Sequence, residues 1–197
     1  MSSDRGLLTL LRRAVALDAG AVARVQAVGA DASNVFVTTP FDCAAARRST
    51  ALEEGVFQGQ LLIDALPNTP NPLPASAWPG ALPPVDGFVL RDTVPIATVR
   101  KLADEGRALA RQFSGPAGPP RSLLSNTVIT ADAESSNPVE VPMSMIFAAT
   151  SLGLIPGFDA PANIPRQMRI STCGSWTRLD AAYGSIFRNA GLNLLIG

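Results

Sequence analysis

Arginine dominates the side chains that could carry chemistry. Arg169 and Arg178 stand almost symmetrically about Gly174–Ser175, and Asp180 follows Arg178 by two positions. A glycine-containing turn between two β-prone runs predicts a hairpin. Residues two apart on a strand share a face, so this spacing predicts Arg169, Arg178 and Asp180 side by side. Arg47 and Arg48, which follow an apolar run, are placed to converge with them. Guanidinium groups present parallel donors to a carboxylate or phosphate, so such a cluster suits an anion. The same residues also make ordinary cross-strand ion pairs on a solvated sheet. These five are the candidate binding residues.

What is missing is as informative. The chain contains no histidine. No Ser-His-Asp triad, Cys-His pair or HExxH zinc site can therefore exist. Cys43 and Cys173 lie far apart, outside any CxxC spacing, and read as two small thiols rather than metal ligands. No metal and no cofactor are expected. Glu53, Glu54, Asp132 and Glu134 fall in expected loops without metal-loop spacing. There is no glycine-rich phosphate loop and no GxSxG elbow. Thr98 and Lys101 have the spacing of a hydroxyl–lysine nucleophile, but the companion motifs are absent and the surrounding helix face is charged. Arg100, Asp104, Arg107 and Arg111 line that face at helical spacing and read as solvated ion pairs. Trp78 and Trp176 are too isolated to form a base-stacking platform.

The bulk properties limit the partners. The 197 residues carry sixteen charges of each sign, for a net charge of zero, and 47% are apolar. Zero net charge argues against nucleic acid and anionic membranes, and it weakens the self-repulsion that keeps domains apart. Lys101 is the single lysine beside fifteen arginines, and alanine, glycine and proline are abundant. That composition fits a GC-rich, actinobacterial-type bacterial genome. The first twenty residues lack the basic-then-apolar order of a signal peptide, and no apolar stretch reaches membrane-spanning length. A cytoplasmic location is expected.

The elements that must position these residues read as α+β. Residues 4–17 predict an amphipathic helix capped by Ser2 or Ser3, with Leu7, Leu8, Leu11, Ala14 and Val15 on one face. A second helix is expected over 18–28, ended by Gly29. NVFVTTPF (34–41) predicts a strand, and Ala44–Ala51 a partner returning onto it. GVFQGQLLIDAL (55–66) reads as a helix weakened by Gly59. The span 67–84 holds seven prolines and predicts an extended strap or linker. Beyond it follow a strand at 88–91 and a helix from a cap at Asp92 or Thr93 to Gly115. A strand at 122–131 and an all-apolar helix at 143–152, opened by Pro142, come next. A meander of QMRISTC, WTRLDAAY and IFRN closes the chain, with LNLLI (192–196) as a last strand. The expected organisation is one α+β domain over 1–197 with the strap at 67–84, against a division into 1–66 and 85–197. Two further helices pack on a mostly antiparallel sheet.

Function is then expected to be non-enzymatic association, with itself or with a protein partner. Scarce catalytic side chains, zero net charge and a helix apolar on every side motivate that expectation. The alternative is a small-molecule or anion-binding enzyme built on the arginines and a carboxylate. A weak nucleic-acid binder using Arg100, Arg107 and Arg111 comes third.

Overall fold

The computed structural model describes residues 2–113 and 120–191. The expected caps at Ser2 or Ser3, the helix stop at Gly115 and the strand at 192–196 lie outside the described residues and side chains. The fold is α+β, built on one antiparallel sheet of eight strands. In chain order these are β1 (Val22–Ala27), β2 (Ala32–Thr38), β3 (Ala44–Thr50), β4 (Gly55–Gln58), β5 (Val89–Pro95), β8 (Gln167–Cys173), β9 (Trp176–Ala181) and β10 (Gly184–Asn189). Between β5 and β8 the chain forms a separate hairpin of β6 (Thr127–Ala131) and β7 (Val139–Pro142). The helices are α1 (Ser2–Leu17), α2 (Gly59–Ala65), α3 (Ile96–Phe113), α4 (Arg121–Ser125) and α5 (Met143–Ser151).

The strand order β4-β1-β2-β3-β10-β9-β8-β5 has a plain internal logic. Each half is a three-stranded meander flanked by one edge strand. The halves meet where Ser185, Ile186 and Phe187 of β10 pair with Ala46, Ala45 and Ala44 of β3. No repeat is visible in the sequence, so the two halves share a layout rather than residues.

One face of the sheet carries the main core. Helix α1 buries Leu7, Leu10, Leu11 and Ala14 against it, while α3 contributes Ile96, Val99, Ala103 and Ala110. Each large aliphatic side chain so buried contributes about 1.5–3 kcal/mol by removal from water. Gly106 lets α3 approach α5 closely, since a Cβ there would meet Met143 and Phe147. Helix α5 is apolar all round because it is covered all round: Met143 through Ala149 are buried in this chain's own core. Its apolar surface therefore supplies no argument for a partner.

Several local expectations are corrected. Residues 22–27 are strand β1, not helix. The apolar alternation there runs through Ala21, Ala23 and Val25, which are buried, while Arg24 and Gln26 face the other way. Two of those three buried positions are alanine, a strong helix former, so the period of two was masked. Gln58 ends a strand rather than sitting inside a helix. The amide of Gly59 donates to the Ala21 carbonyl at 2.8 Å, and a Cβ there would crowd that oxygen and Val15. The chain turns from β4 into α2 at the one residue that fits. Strand β5 runs directly into α3 at Ile96, so Asp92 and Thr93 are strand residues rather than caps. The expected strand at 122–131 divides into α4 and β6. The last hairpin turns at Ala182–Tyr183, and Gly184 already belongs to β10.

The proline-rich span lies against the other face of the sheet. Trp78 is buried there among Phe36, Ala46, Val56 and Phe187, with Leu73, Leu82 and Phe88 beside them. Phe36 meets Trp78 and Phe187 edge-on, at ring separations of 6.5 and 5.7 Å. A tryptophan within a chain that forms no ladder of its own thus pins the strap through aromatic contact.

Gly184 is the tightest point of the seam. Its φ is 153°, and an added Cβ would stand 2.6 Å from the Ala46 carbonyl oxygen and 3.0 Å from Leu154 Cδ2. Gly184→Val is expected to destabilise the fold by about 1–3 kcal/mol through overpacking. Thermal denaturation followed by circular dichroism should show the midpoint falling by several degrees.

A strap-roofed arginine cleft

In-register pairing decides which side chains share the strap-side face. Gln26 stands opposite Asn34, and Asn34 opposite Arg48. This makes one polar row across three strands. A second row runs Arg24–Phe36–Ala46–Ser185–Asp180–Arg169–Thr93. Arg178 lies opposite Phe187 on the same face. Between these rows and the strap residues Pro83, Pro84 and Val85 opens a cleft of about 430 Å³. Its polar lining includes Gln26, Asn34, Arg48, Arg178 and Ser185, with Phe36 and Phe187 below. Among the described lining residues there are three arginines and no aspartate or glutamate.

Arg178 is held from two sides. Its guanidinium lies 4.4 Å from the centre of the Phe88 ring, and its Nε is 2.9 Å from Asp180 Oδ2. The Ser185 hydroxyl donates to Asp180 Oδ1 at 2.6 Å, which fixes the carboxylate. The Nε–Oδ2 approach is close enough to be an ion pair yet lacks hydrogen-bond geometry, so the buried Nε stays unsatisfied. The buried Oε1 of Gln26 also has no hydrogen-bond partner. Unpaired buried polar atoms are scarce in folded proteins, because each has surrendered its water without replacement.

The five candidate residues divide. Arg48, Arg178 and Asp180 share the strap-side face, and the first two line the cleft. Arg169 faces Asp180 across β8 and β9 but is exposed and outside the cleft. Arg47 also borders the cleft, but its guanidinium is on the helix side, where its Nη1 donates to the Tyr183 carbonyl at 2.6 Å. Its guanidinium occupies the space that a side chain at Gly6 of α1 would need. Burial lowers the Arg47 pKa from its ordinary value, an effect opposed by Tyr183. Gln26, Asn34 and Ser185 were not legible as site residues. The signal for Gln26 was the alternation of Arg24 and Gln26 that a helical reading conceals.

The other chemistry candidates lie on α3. Thr98 is exposed, and Lys101 reaches Glu105 only at 3.9 Å. Arg100 stacks 4.5 Å from the Phe158 ring centre, and Arg107 pairs with Asp104 at 2.9 Å. Asp132 lies beside Arg91 at 2.8 Å and ties β5 to the turn between β6 and β7. No helix among the described residues is long and apolar enough to cross a membrane.

The fold is similar to part of the bacterial DNA polymerase sliding clamps. The chain aligns with the DNA polymerase sliding clamp from Pseudomonas aeruginosa at a TM-score of 0.54 and 16% identity, covering 94% of this chain and 62% of that one. The sliding clamp from Caulobacter crescentus gives 0.56 and 12%, with 94% and 63% covered. The clamp from Bartonella birtlesii, solved with griselimycin, gives 0.51 and 13%, with 93% and 62% covered. The chain thus spans a little over three fifths of their length, and at these identities the likeness is one of fold. Residues 83–193 match a domain of unknown function, DUF8185, and the chain belongs to that family. No curated protein matches it in sequence.

Neither cysteine is in a disulfide. Burial pushes the Cys43 thiol up to about 12, against a smaller lowering by its contact with Thr39. At pH 8 only about one Cys43 in ten thousand is then the reactive thiolate. A chromogenic disulfide reagent at pH 8 is expected to leave Cys43 of the native protein unmodified. Its rate should climb as the pH approaches 11, while unfolded protein reacts at both cysteines at once. Rapid native labelling of Cys43 at pH 8, located by mass spectrometry, would contradict that environment.

Proposed function

We propose that this protein is an association module that pairs with a second copy of itself along one edge of the large sheet. The difference between the two sheet edges carries this reading. At the β4 edge the strap closes the ladder: Leu73 bridges to Val56, its amide donating to the Val56 carbonyl at 2.7 Å. At the β5 edge no further strand is paired among the described residues. Val89 and Leu90 on that strand are 64% and 47% exposed. Near its far end, Phe158 is 84% exposed. The loop bearing Phe158 is held there by Arg166, which donates to the carbonyls of Gly157 and Ala160, and by the Ile96 amide on the Arg166 carbonyl.

An uncapped strand edge is a template for another strand. One capped and one free edge limit the assembly to a closed pair, since the same edge on each copy meets its mate about a two-fold axis. The bulge between Leu90 and Asp92 shortens the run over which a second strand can align, which favours one register over open-ended stacking. Zero net charge leaves little repulsion between copies. The matched structures from Pseudomonas aeruginosa and Caulobacter crescentus are DNA polymerase sliding clamps, and a clamp-like fold is consistent with a role in assembly.

Sedimentation velocity at tens of micromolar is expected to show a dimer. Lysines at exposed edge positions, Val89→Lys with Leu90→Lys, should give a monomer with little change in thermal midpoint. A monomeric native protein, or a dimer that survives both lysines, would refute the proposal.

A further inference from the structure

The helix side of β3 holds a charge where the strand pattern calls for an apolar residue. Alternation sends Ala45, Arg47 and Ser49 to that side, and Ala45 and Ser49 are buried. A guanidinium removed from water needs a counter-charge or a full set of acceptors. Arg47 has neither among the described residues. Its Nη1 donates to the Tyr183 carbonyl at 2.6 Å, and no carboxylate pairs with it. One carbonyl uses only part of the donor fork. Burial lowers the Arg47 pKa, opposed by Tyr183, as expected of a cation without an anion beside it. Gly6 shows that the fold makes room for this cation. Glycine inside a helix is less stable than alanine, yet α1 keeps one here, because a Cβ at Gly6 would collide with Arg47 Cζ and Nη2.

Beside this guanidinium opens a second cavity of about 330 Å³, between the start of α1, residues 152–154 and Tyr183. That volume lies within the range of small-molecule sites. Arg5 and Arg47 both line it, and no described acidic residue does. Arg5 is exposed and has no carboxylate partner among the described residues. Leu10, Leu152 and Leu154, all buried, supply an apolar wall. We infer that this cavity binds a phosphate monoester on a small apolar body. Two guanidinium groups without a carboxylate between them match a dianion, and a phosphate monoester carries about two charges at neutral pH with several acceptor oxygens. A single carboxylate leaves one guanidinium uncompensated. In the sheet, β10, β9 and β8 separate β3 from the β5 edge, so this site is distinct from the association proposed above.

Phenyl phosphate serves as the probe. Titration into the full-length protein at pH 8, followed by amide NMR and calorimetry, is expected to give saturable binding that shifts the resonances of residues 5–10, 152–154 and 183. Methyl phenyl phosphate, a diester with a single charge, should bind about tenfold more weakly, and phenol should not bind. Arg5→Gln removes one guanidinium at an exposed position and should weaken binding about tenfold without moving the thermal midpoint. Gly6→Ala should weaken binding to a similar extent, because the new methyl displaces the Arg47 guanidinium, while circular dichroism shows α1 intact. Arg12→Gln, at an exposed position of the same helix outside the cavity, should change nothing. The Val89→Lys, Leu90→Lys protein should bind as the native protein does. Loss of binding in it would assign the probe to the sheet edge and overturn the inference. So would failure of phenyl phosphate to bind, equal binding of the diester, or an Arg12→Gln effect as large as that of Arg5→Gln. Displacement of the probe by an oligonucleotide at equal phosphate concentration, or unchanged affinity in both Arg5→Gln and Gly6→Ala, would overturn it equally.

Discussion

The short pairing of β3 with β10 is the contact on which the rest of the molecule depends. Residues 44–46 meet 185–187, bringing together strands far apart in the chain. Without it the two meanders would be separate four-stranded pieces, and neither face would be continuous. Closing so long a loop is entropically unfavourable, and only a few pairs hold the strands together. The seam compensates by close approach. Three successive alanines on β3 and a glycine at the start of β10 let the strands come together without side-chain bulk. Large residues on both sides then lock it. Ile186 is buried in the main core, and Phe187 with Phe36 anchors the opposite cluster.

That seam makes both faces of the sheet usable, and they are used differently. The helix side is a conventional core of mostly aliphatic side chains, with the buried residues of α5 among them. Among the described residues the opposite side carries only a short 3-10 turn, Ala75–Ala77. It is covered mainly by extended chain, because the prolines there remove backbone donors and fix φ. Apart from the Leu73–Val56 bridge, such a segment is held largely by side chains. Trp78, Leu82 and Phe88 do this over the β1–β2–β3–β10 region. Where the strap stops short of covering the sheet, at Pro83–Val85, the polar rows from Gln26 to Arg48 and from Ser185 to Arg178 lie under its edge. The cleft is therefore a by-product of covering a sheet with proline-rich chain. Its polarity follows from strand residues that the strap leaves uncovered.

The same strap decides the asymmetry of the sheet edges. Leu73 closes β4 with a single bridge, so one end of the sheet is finished within the chain. Nothing comparable closes β5 among the described residues, since the chain there turns at once into α3. An eight-stranded sheet with one finished and one unfinished end has a direction for association built into it. That direction comes from topology, whereas the apolar helix that first suggested a partner is consumed by the interior.

Much of the secondary structure was legible. The apolar stripe of α1, the run of α3, the all-apolar α5 and the glycine-punctuated meander each carry a local period or turn signal strong enough to read alone. Segments with mixed signals were not legible. Ala21, Ala23 and Val25 are compatible with either period, and pairing with β2 and β4 selected the strand. The absence of histidine was also decisive by itself, since no arrangement in space can restore an imidazole. Which arginines would meet was beyond the sequence. Arg47 and Arg48 are neighbours in the chain, yet the pleat sends one beneath α1 and the other into the cleft. Residue type and local spacing determined the chemistry available here. Register across β3, β10 and β9 decided which of those groups share a site, because pairing partners more than a hundred residues apart leave no local trace.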